Sequence, residues 1–357
     1  MAPAVPRINP CGNLPPRPVP ASVLIVKLAA IGDVAMALPM VTAMRQRDPG
    51  ARVAWLAGAT VAPLLHAVDG VDEVLVVDDN AILSGTRARK MQAVLGAWRL
   101  LSGRSFDLVL TAHTDHRYKL LTARVRATER RWLGERAQRP GLVPGRSFRA
   151  EYVRLVTGTD DRHAAVAAPP PVRVTLDDAV GARLAALPPG RRIALAPGGA
   201  RNAARESPLR RWPLERYAAL AAALVARGDT VIVTGGPGDD WVRPAFAGTP
   251  VVDVVGATSL PGLVALYAGC AAVVAHDSGP LHLAHLASTR VVGLFGPTSP
   301  AAFLREDART AALWHAAGLP CAPCYDGREF ADCSDNLCLQ RIDVPAVLAR
   351  LDTLLAA

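Results

Sequence analysis

Short apolar runs recur along this chain, each followed by a segment with helical periodicity. VLIVKL (23–28), RVAWLA (52–57), VDEVLVVD (71–78) and FDLVLTAH (106–113) read as strands. Most of these runs lack the alternation of a half-exposed strand, which is the pattern of a parallel sheet covered on both faces. Between them, a loop with Gly32 leads into a helical stretch through Met44, and VAPLLHAV (61–68) and the segment around Met91 to Leu101 read as helices. The rhythm restarts at RRIALAPGG (191–199). It continues through helix 214–227, strand DTVIVTGG (229–236), short strand VVDVVG (251–256), helix 260–269, strand AAVVAHD (271–277), helix 280–287 and strand RVVGLFG (290–296). Two such alternations predict an α/β protein with two doubly wound parallel sheets. Pro169, Pro170 and Pro171 mark a connection between the halves. Near the C-terminus, Val344, Val347, Leu348, Leu351, Leu354 and Leu355 recur at helical spacing. The expected organisation is a flexible tail (1–20), an N-terminal unit (21–168), a linker (169–186), a C-terminal unit (187–342) and a closing helix (343–357). Two facing units of this kind hold a ligand in the cleft between them, beyond the carboxyl ends of the strands.

Composition narrows the class. A length of 357 residues suits two cores, and 51% hydrophobic with 20% charged residues is globular. The apolar stretch 23–44 is broken by Lys27, Asp33 and Pro39, so it does not read as a membrane span. The first twenty residues carry several prolines and no apolar h-region, so the cytoplasm is the expected location. The net charge is +9, and Lys27, Lys90 and Lys119 are the only lysines among 40 basic residues. Arginine binds phosphate bidentately, which suits anionic substrates or an anionic membrane face, although compositional bias accounts for most of them. Aromatic residues are 5% of the chain and are not interleaved with a basic block, which argues against nucleic acid.

The sharpest local signal is AHDSGPLHLAHLA (275–287), a strand, a turn and a helix start with Pro280 in the first turn. Free N–H groups and a positive dipole end at such a point fit a phosphate. Helix capping by Asp277 and Ser278 explains the same residues. The wider context decides between them: KLAAIGDVAMALP (27–39), APGGA (196–200), LRRWP (209–213), DSGPLHLA (277–284) and LFGPTSP (294–300) occur in that order. Together they resemble glycosyltransferase family 9, the heptosyltransferases of lipopolysaccharide inner core, over most of 22–342. The resemblance implies a GT-B fold, two Rossmann-like domains facing a cleft, with acceptor on the N-terminal side and sugar nucleotide on the C-terminal side. It implies inverting transfer of a heptose from ADP-heptose to a lipid-linked phosphorylated core oligosaccharide, with no cofactor required for transfer. Such an acceptor implies peripheral contact with the anionic inner face of the cytoplasmic membrane.

Matched position by position, Asp33 falls on the family's general base, and a carboxylate can take the proton of an attacking hydroxyl. Gly198 and Gly199 would let backbone approach a phosphate. Arg210 stands where the family often has lysine, suited to a leaving diphosphate, with Arg211 as a rival. Asp277, Ser278, Gly279 and His282 complete the donor side, and Asp239 is placed on the ribose hydroxyls. Trp212 reads as core. Cys321, Cys324, Cys333 and Cys338 could hold a structural zinc or iron, or be reduced cysteines with no ligand. Two alternatives stay open: a heptosyltransferase acting on an autotransporter protein, as the cysteines suggest, and a non-catalytic nucleotide-binding protein. An oxidoreductase lacks support, since no GxGxxG follows the first strand.

Overall fold

The computed structural model describes residues 21–134, 147–158, 166–201, 205–304, 307–325 and 329–357; the expected tail at 1–20 lies outside them. The N-terminal half runs β1 (Ser22–Val26), α1 (Ile31–Ala37), α2 (Pro39–Arg47), β2 (Arg52–Gly58), α3 (Ala62–His66), β3 (Glu73–Val77), α4 (Asp79–Ser84), α5 (Arg87–Leu100), β4 (Ser105–Thr111), α6 (His116–Leu121), β5 (Arg126–Trp132) and α7 (Phe148–Thr157). After α8 (Asp178–Ala185) come β6 (Arg192–Ala196), α9 (Leu214–Ala226), β7 (Thr230–Val233), β8 (Val252–Asp253), α10 (Leu260–Ala268), β9 (Ala272–His276) and α11 (Gly279–Leu286). The chain closes with β10 (Arg290–Phe295), α12 (Pro300–Phe303), β11 (Thr310–Trp314), α13 (Leu337–Gln340) and α14 (Val344–Ala356).

Two parallel sheets result, ordered β3-β2-β1-β4-β5 and β11-β10-β9-β6-β7-β8. The central strands are apolar throughout because helices cover both faces. Ile25 of β1, fully buried, sits between Trp55 of β2 and Leu110 of β4. Burying a side chain of this size contributes roughly 1.5–3 kcal/mol. Sequence patterning missed β5 and β11, which are both edge strands. RATERRW carries charge on a half-exposed edge, where charged side chains discourage further pairing.

The expected linker at 169–186 is only partly extended. Asp69 N–H donates to Pro171 O (2.9 Å) and Arg173 N–H to Ala67 O (2.7 Å), clipping this segment to the end of α3. The remainder forms α8, which buries Val180 and Leu184. Helix α14 packs Val347, Leu351 and Leu354 into the core that contains Ile193 and Leu195 of β6.

The halves meet where α1 crosses α11. A methyl group on Gly32 would lie 2.6 Å from Cδ2 of His282, and one on Gly279 would lie 3.3 Å from Ile31. Beside this contact, the ring of Phe148 of α7 meets Phe303 of α12 in a tilted contact at 4.8 Å, and Arg149 donates to Phe303 O (3.2 Å).

Trp212 is core, as its sequence context suggests. It is buried, donates its indole N–H to Ile342 O (2.9 Å) and meets Tyr217 edge-on at 4.9 Å. Trp212→Ala should lower unfolding stability by about 3–5 kcal/mol, read from the urea midpoint. A loss below about 1 kcal/mol would remove Trp212 from the list of core supports.

Candidate active site

Lys27 follows strand β1, and the chain turns through 28–30 into α1, whose third residue is Asp33. Lys27 is 2% exposed and its Nζ lies 3.0 Å from Oδ2 of Asp33. A buried ammonium requires a partner of this kind, and the Tyr152 ring lies 5.5 Å from the same Nζ. Asp33 is 34% exposed, so its carboxylate is open on one side. Burial pushes its pKa up. The charge and hydrogen bond of Lys27 overcome this, helped by His113 and His282, and the net shift is below the ordinary aspartate value.

His113 follows the carboxyl end of β4. It stacks flat on Tyr118 at 4.1 Å, and its Nδ1 accepts from Asp115 N–H (2.9 Å). Burial, and then the charge of Lys27, push its pKa down to about 3, so the ring is neutral. Arg117 is fixed by Asp115 and by the carbonyls of Ile82 and Leu83. Of the basic stretch TAHTDHRYK (111–119), His113 and Tyr118 lie within electrostatic reach of Asp33, and Arg117 is committed to the loop.

On the C-terminal side, Asp277 follows the end of β9 and is buried. Its Oδ2 accepts from Thr298 Oγ1 (2.8 Å) and lies 3.7 Å from Arg210, and its Oδ1 lies 3.8 Å from His282 Nε2. Burial raises its pKa, but His282, Arg210 and Thr298 bring it below the usual value. Arg210 and Arg211 part company here. Arg211 donates twice to Gly199 O (3.0 and 2.8 Å), pairs with Glu206 (2.7 Å) and covers the Trp241 ring, so it is a brace. Arg210 faces Asp277.

The histidines also separate. His276 bonds Tyr217 through Nδ1 (3.2 Å), and His285 lies between Arg149 (3.4 Å) and Thr310 (3.3 Å). His282 alone of the three touches both Gly32 and Asp277. Four buried atoms here, Arg210 Nε, His276 Nε2, Asp277 Oδ1 and His282 Nδ1, have no hydrogen-bond partner among the described residues. Buried polar atoms ordinarily have one, so the cluster suits a polar ligand.

Gly198 and Gly199 reach the same place by another route. Gly199 has φ +81°, and a methyl there would lie 3.5 Å from Ser278 Oγ, so the 198–200 loop abuts the 277–279 turn. Ser278 donates to His276 O (3.3 Å), and no side-chain cap closes the start of α11. Asp239, expected on a ribose, is otherwise engaged. Its two oxygens accept from Gly199 N–H (3.0 Å) and Gly236 N–H (2.7 Å), and it is buried. It fastens two glycine loops together.

Of the two readings left open for the cysteines, the structure shows no gathered metal site: among the described residues no group of three or more His, Cys, Asp or Glu is placed to hold an ion. Cys321 and Cys333 are exposed, and Cys324 and Cys338 are half-buried. Asn336 takes up two of the sulfurs, donating N–H to Cys333 (3.3 Å) and accepting from Cys338 (3.4 Å). Burial raises the pKa of Cys324 and Cys338, which favours thiol over thiolate.

Sequence reasoning gave no role to Lys27, placed His113 only within a basic stretch (111–119) facing acceptor phosphates or solvent, and gave none to Tyr325. Tyr325 follows the Cys321–Cys324 pair, and burial and then the charge of Asp33 raise its pKa to about 12. A signal existed for the first two. A lone lysine ending an apolar strand needs an anion nearby, and His113 closes a strand at the cleft end. Tyr325 lies in an irregular segment with no such pattern.

Residues 185–332 match the family profile of glycosyltransferase family 9 (heptosyltransferase). The chain is 24% identical over 302 residues to lipopolysaccharide core heptosyltransferase OpsX of Haemophilus influenzae, covering 79% of this chain and 80% of that protein. It is 26% identical over 362 residues to lipopolysaccharide heptosyltransferase 1 of Pseudomonas aeruginosa, covering 94% and 98%. Among solved structures, a family 9 glycosyl transferase from Veillonella parvula superposes with TM-score 0.73 at 18% identity over 94% of this chain and 97% of that one. Escherichia coli heptosyltransferase WaaC, solved with ADP-2-deoxy-2-fluoro heptose, gives 0.66 at 17% over 93% and 99%. The fold is thus GT-B, the chain is a glycosyltransferase, and its residues 185–332 match family 9, the heptosyltransferases.

Proposed function

We propose that this chain transfers a heptose, with inversion, from ADP-heptose to a phosphorylated lipopolysaccharide inner-core acceptor at the cytoplasmic membrane face. One observation carries the reading. Asp33, a charged carboxylate half open to solvent, lies across the α1–α11 contact from the cluster of Arg210, Asp277 and His282. Asp33 takes the proton of the acceptor hydroxyl as its oxygen attacks the anomeric carbon. The carbon–oxygen bond to ADP breaks on the opposite face, and Arg210 neutralises the charge that develops on the diphosphate. Lys27 keeps Asp33 ionised; its ammonium is fixed to that oxygen before substrate arrives.

A donor panel tests the reaction: ADP-heptose, ADP-glucose, UDP-glucose and GDP-mannose with purified core oligosaccharide, products read by mass spectrometry. Transfer from ADP-heptose is expected, and transfer only from a different donor would replace this reading. Asp33→Asn should reduce turnover by about 10²–10⁴ while donor affinity holds.

The Lys27 pair makes a pH prediction. Asp33 works deprotonated, so activity falls as pH drops through its pKa. Lys27→Met removes the main opposition to burial, so the acid limb of kcat/KM should move to higher pH. An unmoved limb would separate Lys27 from the base.

The two arginines make the last. Arg210→Ala should cut kcat by about 10²–10³, and Arg211→Ala should act mainly through stability, seen as a lowered Tm. Equal kcat losses at unchanged Tm would undo the distinction drawn between them.

A further inference from the structure

Helix α5 is a poor match to its own dipole. Arg87, Arg89 and Lys90 occupy its first turn, where cations are unfavourable, and the helix contains no acidic residue. Folding does not ask for this charge. Arg87, Met91, Leu95 and Arg99 then follow at four-residue spacing along its outer side, with Met91 59% and Leu95 38% exposed. Trp98 donates its indole N–H to Leu120 O (2.9 Å), which brings Leu120, 46% exposed, onto the same surface.

Next to this stripe lies a groove of about 590 Å³ lined by Leu95, Trp98, Arg99, Arg104, Arg124 and Arg126, among others. Arg124 lies over the Trp98 ring at 4.4 Å. Arg104 is neutralised by Glu73 (2.8 Å). Arg99, Arg124 and Arg126 are exposed and have no acidic partner among the described residues.

Topology locates the face. Residues 102–104 precede β4 and 124–125 precede β5, so the groove lies at the amino ends of these strands. Asp33 and His113 follow the opposite, carboxyl ends of β1 and β4. Helix α5 runs from one level to the other. A flat anionic surface against α5 would therefore leave the cleft open and hold its rim close to that surface.

We propose that the outer face of α5 and the adjoining arginine groove dock this protein on an anionic phospholipid bilayer. Phosphate headgroups meet Arg99, Arg124 and Arg126, and Met91, Leu95 and Leu120 enter the headgroup boundary. The assignment rests on the reading of a membrane-borne acceptor, since that reading supplies the bilayer.

Vesicle co-sedimentation tests the face with two variants of equal net charge. Arg99→Glu with Arg124→Glu alters the groove, and Arg341→Glu with Arg350→Glu alters the far C-terminal helices. On vesicles containing phosphatidylglycerol, the first variant should bind at least about tenfold more weakly than the unmodified chain, and the second within about twofold of it. Hydroxyl-radical footprinting of the unmodified chain gives a reading free of mutation: Met91 oxidation should fall on adding these vesicles and hold steady with phosphatidylcholine alone. Equal losses in both variants, or Met91 oxidation indifferent to anionic vesicles, would overturn the proposal. So would Met91 protection that rises with protein concentration alone, which makes the face a contact between copies. Transfer from ADP-heptose to a deacylated core oligosaccharide needs no membrane and is measured in parallel. Its failure in the unmodified chain would remove the proposed reaction, whereas the vesicle result judges the docking face independently.

Discussion

The site depends on how closely two helices from different halves of the chain approach. At Gly32 and Gly279, α1 and α11 come together without room for a methyl group on Gly32 unless His282 moves. Helices with side chains at the contact ordinarily keep their axes about 8–10 Å apart, and small residues permit closer backbone approach. This crossing brings Asp33, one residue beyond Gly32, and His282, one turn into α11, to a common place. Neither half holds both groups. The apolar sheets act as abutments: their buried strands fix where each loop emerges, and the loops carry the chemistry.

Charge is handled in the same way on both sides. Each side has a carboxylate that burial pushes toward the neutral form, and each has neighbours that reverse the effect: Lys27 for Asp33, and His282 with Arg210 for Asp277. The difference lies in access. Asp277 is closed off and orients Arg210, Thr298 and His282, whereas Asp33 is open on one side. A base must be reached by its substrate and an orienting group need not be, so exposure separates two roles that residue type alone leaves identical.

Much of the architecture was legible in the sequence because buried parallel strands require apolar runs, and those runs are unmistakable at β1, β2, β4, β6 and β9. The edge strands β5 and β11 were not, since half-exposed strands admit charge and lose the pattern. At the site, proximity in the chain was readable and engagement was not. The DSGPLHLA run announced Asp277 and His282. It could not reveal that Arg211 braces a carbonyl while Arg210 stays near Asp277, because consecutive residues leave a turn in different directions. The cysteines carried a spacing suited to metal. Spacing does not decide which way thiols point, and Asn336 engages two of them.

Asp239 illustrates a wider point about buried acceptors. Its two oxygens receive N–H groups from loops that follow different strands, Gly199 after β6 and Gly236 after β7. Of side chains this short, only an ionised carboxylate accepts on both arms. Asparagine has the same outline but would turn one arm into a donor facing another donor. The loop that borders Ser278 is thus held in shape by a negative charge facing inward, and electrostatic bookkeeping confined to groups lining the cleft would overlook it. In this molecule a buried anion works as mortar behind the loop that borders Ser278.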